Sequence, residues 1–108
     1  MAKYLFIESR DPFESSDVNY FAELVQGMAP RAEAVNLFLV QNGVLATRPG
    51  AKYNGPLKRL LDAKVKILAD SFALRERAIP NPMDGVEVAD MERLIQLLLE
   101  PGTKAIWH

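Results

Sequence analysis

Short apolar runs alternate with amphipathic segments along this chain. Residues 4–7, 34–40 and 65–69 are mostly apolar and contain many β-branched and aromatic side chains. Such runs are typical of strands that are covered on both faces of a parallel sheet. Residues 86–88 and 104–107 form two shorter runs of the same kind. The pattern therefore predicts five strands.

Apolar residues recur at helical spacing in the segment after the first strand. This segment ends before Pro30, and Ser15, Ser16 and Asp17 carry side-chain oxygens that can cap a helix at its start. The predicted buried face consists of Val18, Phe21, Ala22, Val25 and Met28. A first helix is therefore expected between the first two strands.

Three more helices are predicted further along the chain. The second is capped by Asn54, the third runs from Asp70 to Arg77, and the fourth is capped by Asp90. The apolar face of the second helix consists of Leu57, Leu60 and Leu61. The apolar face of the fourth consists of Met91, Leu94, Ile95 and Leu98. Residues 44–47 are expected to form one further helical turn.

The order of the predicted elements is βαβαβαβαβ. Parallel strands joined by right-handed helical crossovers form an open sheet with helices packed on its faces. We therefore predict an α/β fold, in which residues 1–108 form a single three-layer domain with a mostly parallel five-stranded sheet flanked by helices.

Composition narrows the possible chemistry more than it narrows the fold. The 108 residues carry a formal net charge of -1 and contain no cysteine. Disulfides, cysteine-based metal sites and thiol catalysis are therefore excluded. The near-neutral charge predicts neither a nucleic-acid nor a membrane partner. The apolar run near Met1 is too short for a signal peptide, so a cytoplasmic location is expected.

Asp70 is the first candidate site residue, because it ends the third predicted strand. Open α/β sheets bind ligands at the carboxyl ends of their strands, so Asp70 and the adjacent Ser71 are expected near a ligand. Helix capping would explain Asp70 equally well. Arg75 and Arg77 follow, either as anion-binding and partner-docking groups or as members of a solvated face with internal Arg–Glu pairs.

The turn at Asn42 and Gly43 is a second candidate, because its backbone N–H groups could hold a small anion. Trp107, on the last predicted strand, could anchor a subunit interface. His108 is the single histidine and the last residue of the sequence, so we expect a frayed end, or a tail tied down at a subunit contact, and no Ser–His–Asp triad. No nucleotide-binding loop or metal-ligand spacing is present, which predicts no cofactor and no metal.

Three segments, in this order, resemble the DsrE/DsrF/DsrH family of small sulfur-relay proteins, also called the TusBCD type. Residues 37–44 resemble the family's second strand and its turn. Residues 65–79 resemble the third strand and the helix after it, where Arg77 matches the family's arginine and Ala78 replaces its glycine. Residues 88–107 resemble the DsrH/TusB end of the family, which finishes with a tryptophan.

The resemblance implies a five-stranded α/β sheet, a cytoplasmic location and assembly into trimers or hexamers, with DsrE-, DsrF- or TusA-like proteins as possible partners. It also implies a cysteine that carries a persulfide after the third strand. Asp70 stands at that position here, and a carboxylate cannot hold a sulfane sulfur. Ala78 in place of glycine indicates a changed turn at the family's pocket.

These observations leave three hypotheses. The first is a non-catalytic oligomeric subunit or binding protein related to sulfur-relay complexes, which binds through Asn42, Gly43, Asp70 and Ser71 while Arg75 and Arg77 steer the ligand. The second is a small enzyme in which Asp70 acts as general acid or base at the carboxyl edge of the sheet. The third is an interaction module without a ligand pocket.

Overall fold

The computed structural model describes residues 3–11 and 17–108, although the side chains of residues 17–20 are not included. The strands are β1 (Lys3–Glu8), β2 (Ala34–Leu39), β3 (Lys66–Asp70), β4 (Val86–Ala89) and β5 (Thr103–Trp107). The helices are α1 (Asp17–Met28), α2 (Asn54–Asp62), α3 (Ser71–Glu76) and α4 (Met91–Leu99). Of the predicted cap residues, Ser15 and Ser16 lie outside the described residues, and Asp17 is described only as the first residue of α1.

The predicted five-stranded α/β sheet is confirmed. Its strand order is β4-β3-β2-β1-β5, and every neighbouring pair is parallel. The three central strands are the longest apolar runs of the sequence because their side chains are buried on both faces. Phe6, Phe38 and Ile67 are fully buried at the middle of β1, β2 and β3.

The path of the chain places the helices unequally on the two faces. From β1 to β4 the chain crosses the sheet in one direction, and it then returns to place β5 beside β1. Because crossovers are right-handed, this reversal moves the last helix to the opposite face. Side chains of α1, α2 and α3 pack with Phe6 and Leu37, whereas α4 packs with Leu5 and Phe38.

The buried face of α4 differs from the predicted one. Leu94 and Leu97 are buried against the sheet, whereas Met91, Ile95 and Leu98 are exposed. Apolar residues occupy most positions around this helix, so spacing alone could not identify the side that packs inward. The predicted face was therefore wrong for every member except Leu94.

Two other local predictions need correction. The turn at residues 41–43 and the predicted helical turn at 44–47 form one 3₁₀ helix, Gln41–Thr47. Asn54 does not cap α2. Its amide nitrogen donates to the carbonyls of Ala46 (2.8 Å) and Arg48 (3.1 Å), and its side-chain oxygen accepts from the Gly50 N–H (3.1 Å). Asn54 therefore holds the preceding loop closed.

His108 is not a frayed end, because it continues β5 and is tied to β1 within the same chain. Its N–H donates to the Ile7 carbonyl at 2.8 Å, and its carbonyl accepts from the Ser9 N–H and hydroxyl, each at 3.0 Å. The imidazole Nδ1 lies 2.7 Å from Oε2 of Glu8. The ring also stacks on Phe21 of α1 at a centroid distance of 5.0 Å.

We expect His108→Ala to lower the free energy of unfolding by about 1–3 kcal/mol, because it leaves the buried Glu8 carboxylate with one partner fewer. Chemical denaturation would measure the change. Lys104→Ala, at an exposed position on the same strand, is the matched control and should shift stability by less than about 0.5 kcal/mol. Equal midpoints for the two variants would contradict a stabilising role for the imidazole.

Candidate functional site

A cleft with a volume of about 760 Å³ lies at the carboxyl edge of the sheet, between α3 and α4. These two helices follow β3 and β4, which are neighbours in the sheet, yet they pack on opposite faces. Such a divergence opens a crevice at the strand ends of an open α/β sheet. The topology therefore explains where this cleft lies.

The apolar residues of the cleft lining come from α3, α4, β5 and the position after β2. They are Val40, Phe72, Ala73, Met91, Leu94 and Trp107. Trp107 lies opposite Ile7 in the sheet register, on the face covered by α4, and its side chain is 65% exposed. Phe72 and Met91 are also exposed. These three apolar side chains of the cleft lining are therefore accessible to solvent.

The polar residues of the cleft lining are Gln41, Asn42, Asp70, Glu76 and Arg77. Asp70 ends β3 and is only 4% exposed. Its Oδ2 accepts from the Ala73 N–H at 3.1 Å, which makes it the N-cap of α3. The Asp70 carboxylate therefore caps α3 and also lines the cleft. The helix-cap interpretation and a position at the ligand edge are thus compatible.

Asn42 and Arg77 form the best-defined polar contact of the cleft. The Asn42 Oδ1 accepts from Nε of Arg77 at 3.0 Å and from Nη2 at 2.9 Å. The Arg77 Nη1 donates to the Ala73 carbonyl at 3.2 Å. The side-chain oxygen of Asn42 therefore positions the guanidinium, which makes Asn42 a positioning residue and leaves Arg77 as the group that can contact a ligand.

A residue with left-handed backbone conformation lies next to each member of this pair. Gln41, which precedes Asn42, has a φ of 49°, and Ala78, which follows Arg77, has a φ of 54°. The left-handed conformation destabilises a residue that has a Cβ by about 1–2 kcal/mol, whereas glycine adopts it without this cost. Ala78 thus adopts the backbone conformation that glycine favours, although the sequence places alanine there.

Three predicted site residues lie away from the cleft. Ser71 begins α3 and Arg75 is exposed on its outer side, and neither lines the cavity. Gly43 lies under the Glu8 carbonyl, where an added Cβ would collide with backbone atoms. Its role is to let the 3₁₀ helix approach the end of β1 closely.

Sequence analysis did not identify Gln41, Phe72, Glu76 or Met91 as cleft residues. Phe72 carried a usable signal, because a large aromatic side chain directly after a strand-ending Asp70 lies near the ligand edge. The other three become neighbours only through the packing of α3 and α4. Within the described part of the chain, no three histidine, aspartate or glutamate side chains cluster closely enough to hold a metal ion.

Comparison with known proteins identifies the fold. No protein-family model matches the chain, and no curated protein matches it in sequence. The structure is similar to that of the ychN protein from E. coli, with a TM-score of 0.89 and 21% identity over 100% of both chains. These values establish a shared α/β fold and no more.

None of the described helices is long and apolar enough to cross a membrane.

Two proteins of unknown function have the same architecture. MTH1491 from Methanobacterium thermoautotrophicum gives a TM-score of 0.80 at 22% identity over 100% of both chains. BT1422 from Bacteroides thetaiotaomicron gives 0.81 at 15% identity, over 98% of this chain and 94% of the other. The same fold is therefore found in proteins that are only 22% and 15% identical to this chain.

Gly43→Ala is expected to lower the free energy of unfolding by about 1–3 kcal/mol, because the new methyl group would press on the Glu8 carbonyl. Thermal or denaturant unfolding would measure the loss. Gly27→Ala is the matched control, since nothing lies within 4 Å of its added Cβ. This helical substitution should leave stability unchanged or raise it by up to about 1 kcal/mol. A Gly43→Ala protein as stable as the wild type would contradict the assigned packing role.

Proposed function

We propose that this protein is a non-catalytic, oligomeric binding subunit related to sulfur-relay complexes of the cytoplasm. The observation that carries the proposal is the cleft of about 760 Å³ at the carboxyl edge of the sheet, whose lining combines the guanidinium held by Asn42 with exposed apolar side chains. The sequence contains no cysteine, so the cleft binds its ligand without carrying a persulfide.

Two lines of reasoning support a relation to the DsrE/DsrF/DsrH family. Three segments of the sequence resemble that family in the right order, and the tail resembles its DsrH/TusB end. The five-stranded parallel α/β fold that this resemblance implied is the fold of the chain. In this proposal the protein keeps the architecture of a relay subunit and contributes binding, while other DsrE-, DsrF- or TusA-like proteins supply the reactive sulfur.

Self-association is the second part of the proposal. Met91, Ile95 and Leu98 lie at helical spacing on the outer side of α4 and are exposed. Met91 and the exposed Trp107 also line the same cleft, so the helix stripe and the cleft wall belong to one apolar surface. Soluble monomers rarely leave such a surface uncovered. In a trimer or hexamer of this chain, a neighbouring copy would cover the α4 stripe, and the cleft would stay open to a ligand.

Purified protein is expected to sediment as a trimer or hexamer at high micromolar concentration. Combining Ile95→Ser with Trp107→Ser should shift it to smaller species, because these changes remove apolar area from the proposed interface. Analytical ultracentrifugation would measure the mass. Leu24→Ser, at an exposed apolar position on α1, is the matched control and should leave assembly intact. A monomeric wild-type protein would overturn this part of the proposal.

A small enzyme that uses Asp70 is the second candidate function. The observation in its favour is that the Asp70 carboxylate lines the cleft while largely removed from solvent. Its Oδ2 accepts the capping hydrogen bond from Ala73, so proton transfer would involve Oδ1. The same capping contact also accounts for the presence of an aspartate there, which is why we rank catalysis second.

Asp70→Asn separates the two functions. Asparagine caps helices about as well as aspartate, so stability should stay within about 0.5 kcal/mol of the wild type. For a binding subunit, oligomeric state is unchanged, and a panel of p-nitrophenyl esters and phosphates shows no turnover that depends on Asp70. A wild-type activity that falls by a factor of about 100 or more in Asp70→Asn, with stability retained, would favour the enzyme instead.

A further inference from the structure

We propose that the cleft binds a small organic acid with a flat apolar body, whose anionic group is held by Arg77 and whose ring lies against Trp107. This inference deepens the proposed function and rests on it, since it names the class of ligand that the same cleft takes. It depends on three observations: the unused donors of Arg77, the charges around them, and the volume and apolar lining of the cleft.

The guanidinium of Arg77 keeps donors free for a ligand. Arginine has five N–H groups. The structure uses one on Nε and one on Nη2 for Asn42, and one on Nη1 for the Ala73 carbonyl. One N–H remains on each terminal nitrogen, within the described part of the chain. These two donors can bind oxygens of a carboxylate or a related oxyanion.

Arg77 forms no ion pair with any described residue, so its charge is not neutralised within the described part of the chain. Two carboxylates line the same cleft and oppose an anion. Asp70 is directed to the N–H of Ala73, and Glu76 is exposed to solvent, which screens it. Arg77 is the one cationic residue of the described cleft lining, so an anionic group of a ligand would bind beside it.

The size and the apolar wall of the cleft exclude a bare inorganic ion as the best ligand. A cavity of about 760 Å³ is in the range of small-molecule sites, roughly 300–1,000 Å³. Trp107 and Phe72 present exposed aromatic rings to this space. Aromatic side chains favour stacking with flat apolar groups. The ligand that fits both the guanidinium of Arg77 and these aromatic rings is therefore an aromatic or cyclic acid.

Three related probes test the assignment: 2-naphthoate, the neutral 2-naphthamide and the cationic 2-naphthylmethylamine. Isothermal titration gives their affinities, and the indole N–H signal of Trp107 in NMR spectra reports binding at the cleft, because the sequence contains one tryptophan. We expect 2-naphthoate to shift this signal and to bind at least ten times more tightly than either of the other probes.

Variants assign the preference to Arg77. Arg77→Gln should reduce the affinity for 2-naphthoate to that for 2-naphthamide, and Arg77→Lys should give an intermediate value because it keeps the charge and loses the fork. Asn42→Ala should weaken binding several-fold, since the guanidinium loses its fixed position. Arg75→Gln is the matched control, an exposed arginine outside the cleft, and should bind 2-naphthoate as the wild type does.

Two results would overturn the inference in different ways. Equal affinities for the three probes, or equal affinities of Arg77→Gln and Arg75→Gln for 2-naphthoate, would refute anion recognition while the cleft remained a binding site. Failure of all three probes to shift the Trp107 signal would refute ligand binding by the cleft, and with it the binding role in the proposed function. Melting curves of each variant show that the comparison is made between folded proteins.

Discussion

After β4 the chain reverses its direction across the sheet, and the position of the cleft follows from that reversal. Because crossovers are right-handed, α4 is placed on the face opposite α1, α2 and α3. Neighbouring strands β3 and β4 then lead into helices that diverge, and the space between them is the cleft. Among the described helices, α4 alone packs on the second face of the sheet. Because no other described helix covers the outer side of α4, its apolar side chains there are exposed.

The contact between Asn42 and Arg77 joins the segments that follow β2 and β3. Each segment contains a left-handed residue beside the contact, Gln41 on one side and Ala78 on the other. Backbone strain of this kind persists where surrounding contacts hold it, and it is concentrated at functional sites. The hydrogen bonds to Asn42 and Ala73 hold the guanidinium in place before any ligand binds, which reduces the entropy that binding costs. Asp70 contributes by fixing the start of α3, the helix that leads to Arg77.

Binding and assembly are linked in the proposed function because they share side chains. Met91 and Trp107 line the cleft and also belong to the exposed apolar surface that includes Ile95 and Leu98 of α4. A ligand in the cleft and a neighbouring copy on this surface would therefore meet at the same residues. The His108–Glu8 contact anchors the end of β5 and so holds the adjacent Trp107 in register with β1.

The sequence by itself determined the five strands, the α/β class and the capping roles of Asp70 and Asp90, because strand burial and helix capping leave local patterns. It also directed attention to Asp70, Asn42, Arg77 and Trp107, which the fold brings to one cleft. Tertiary structure alone decided that Leu97 rather than Ile95 packs inward and that Gly43 lies close against the Glu8 carbonyl. It likewise decided that Asn42 holds Arg77 and that His108 is anchored to β1, because these partners are separated by 35 and 100 positions along the chain. Such contacts depend on how the elements pack against one another, and no local pattern encodes them.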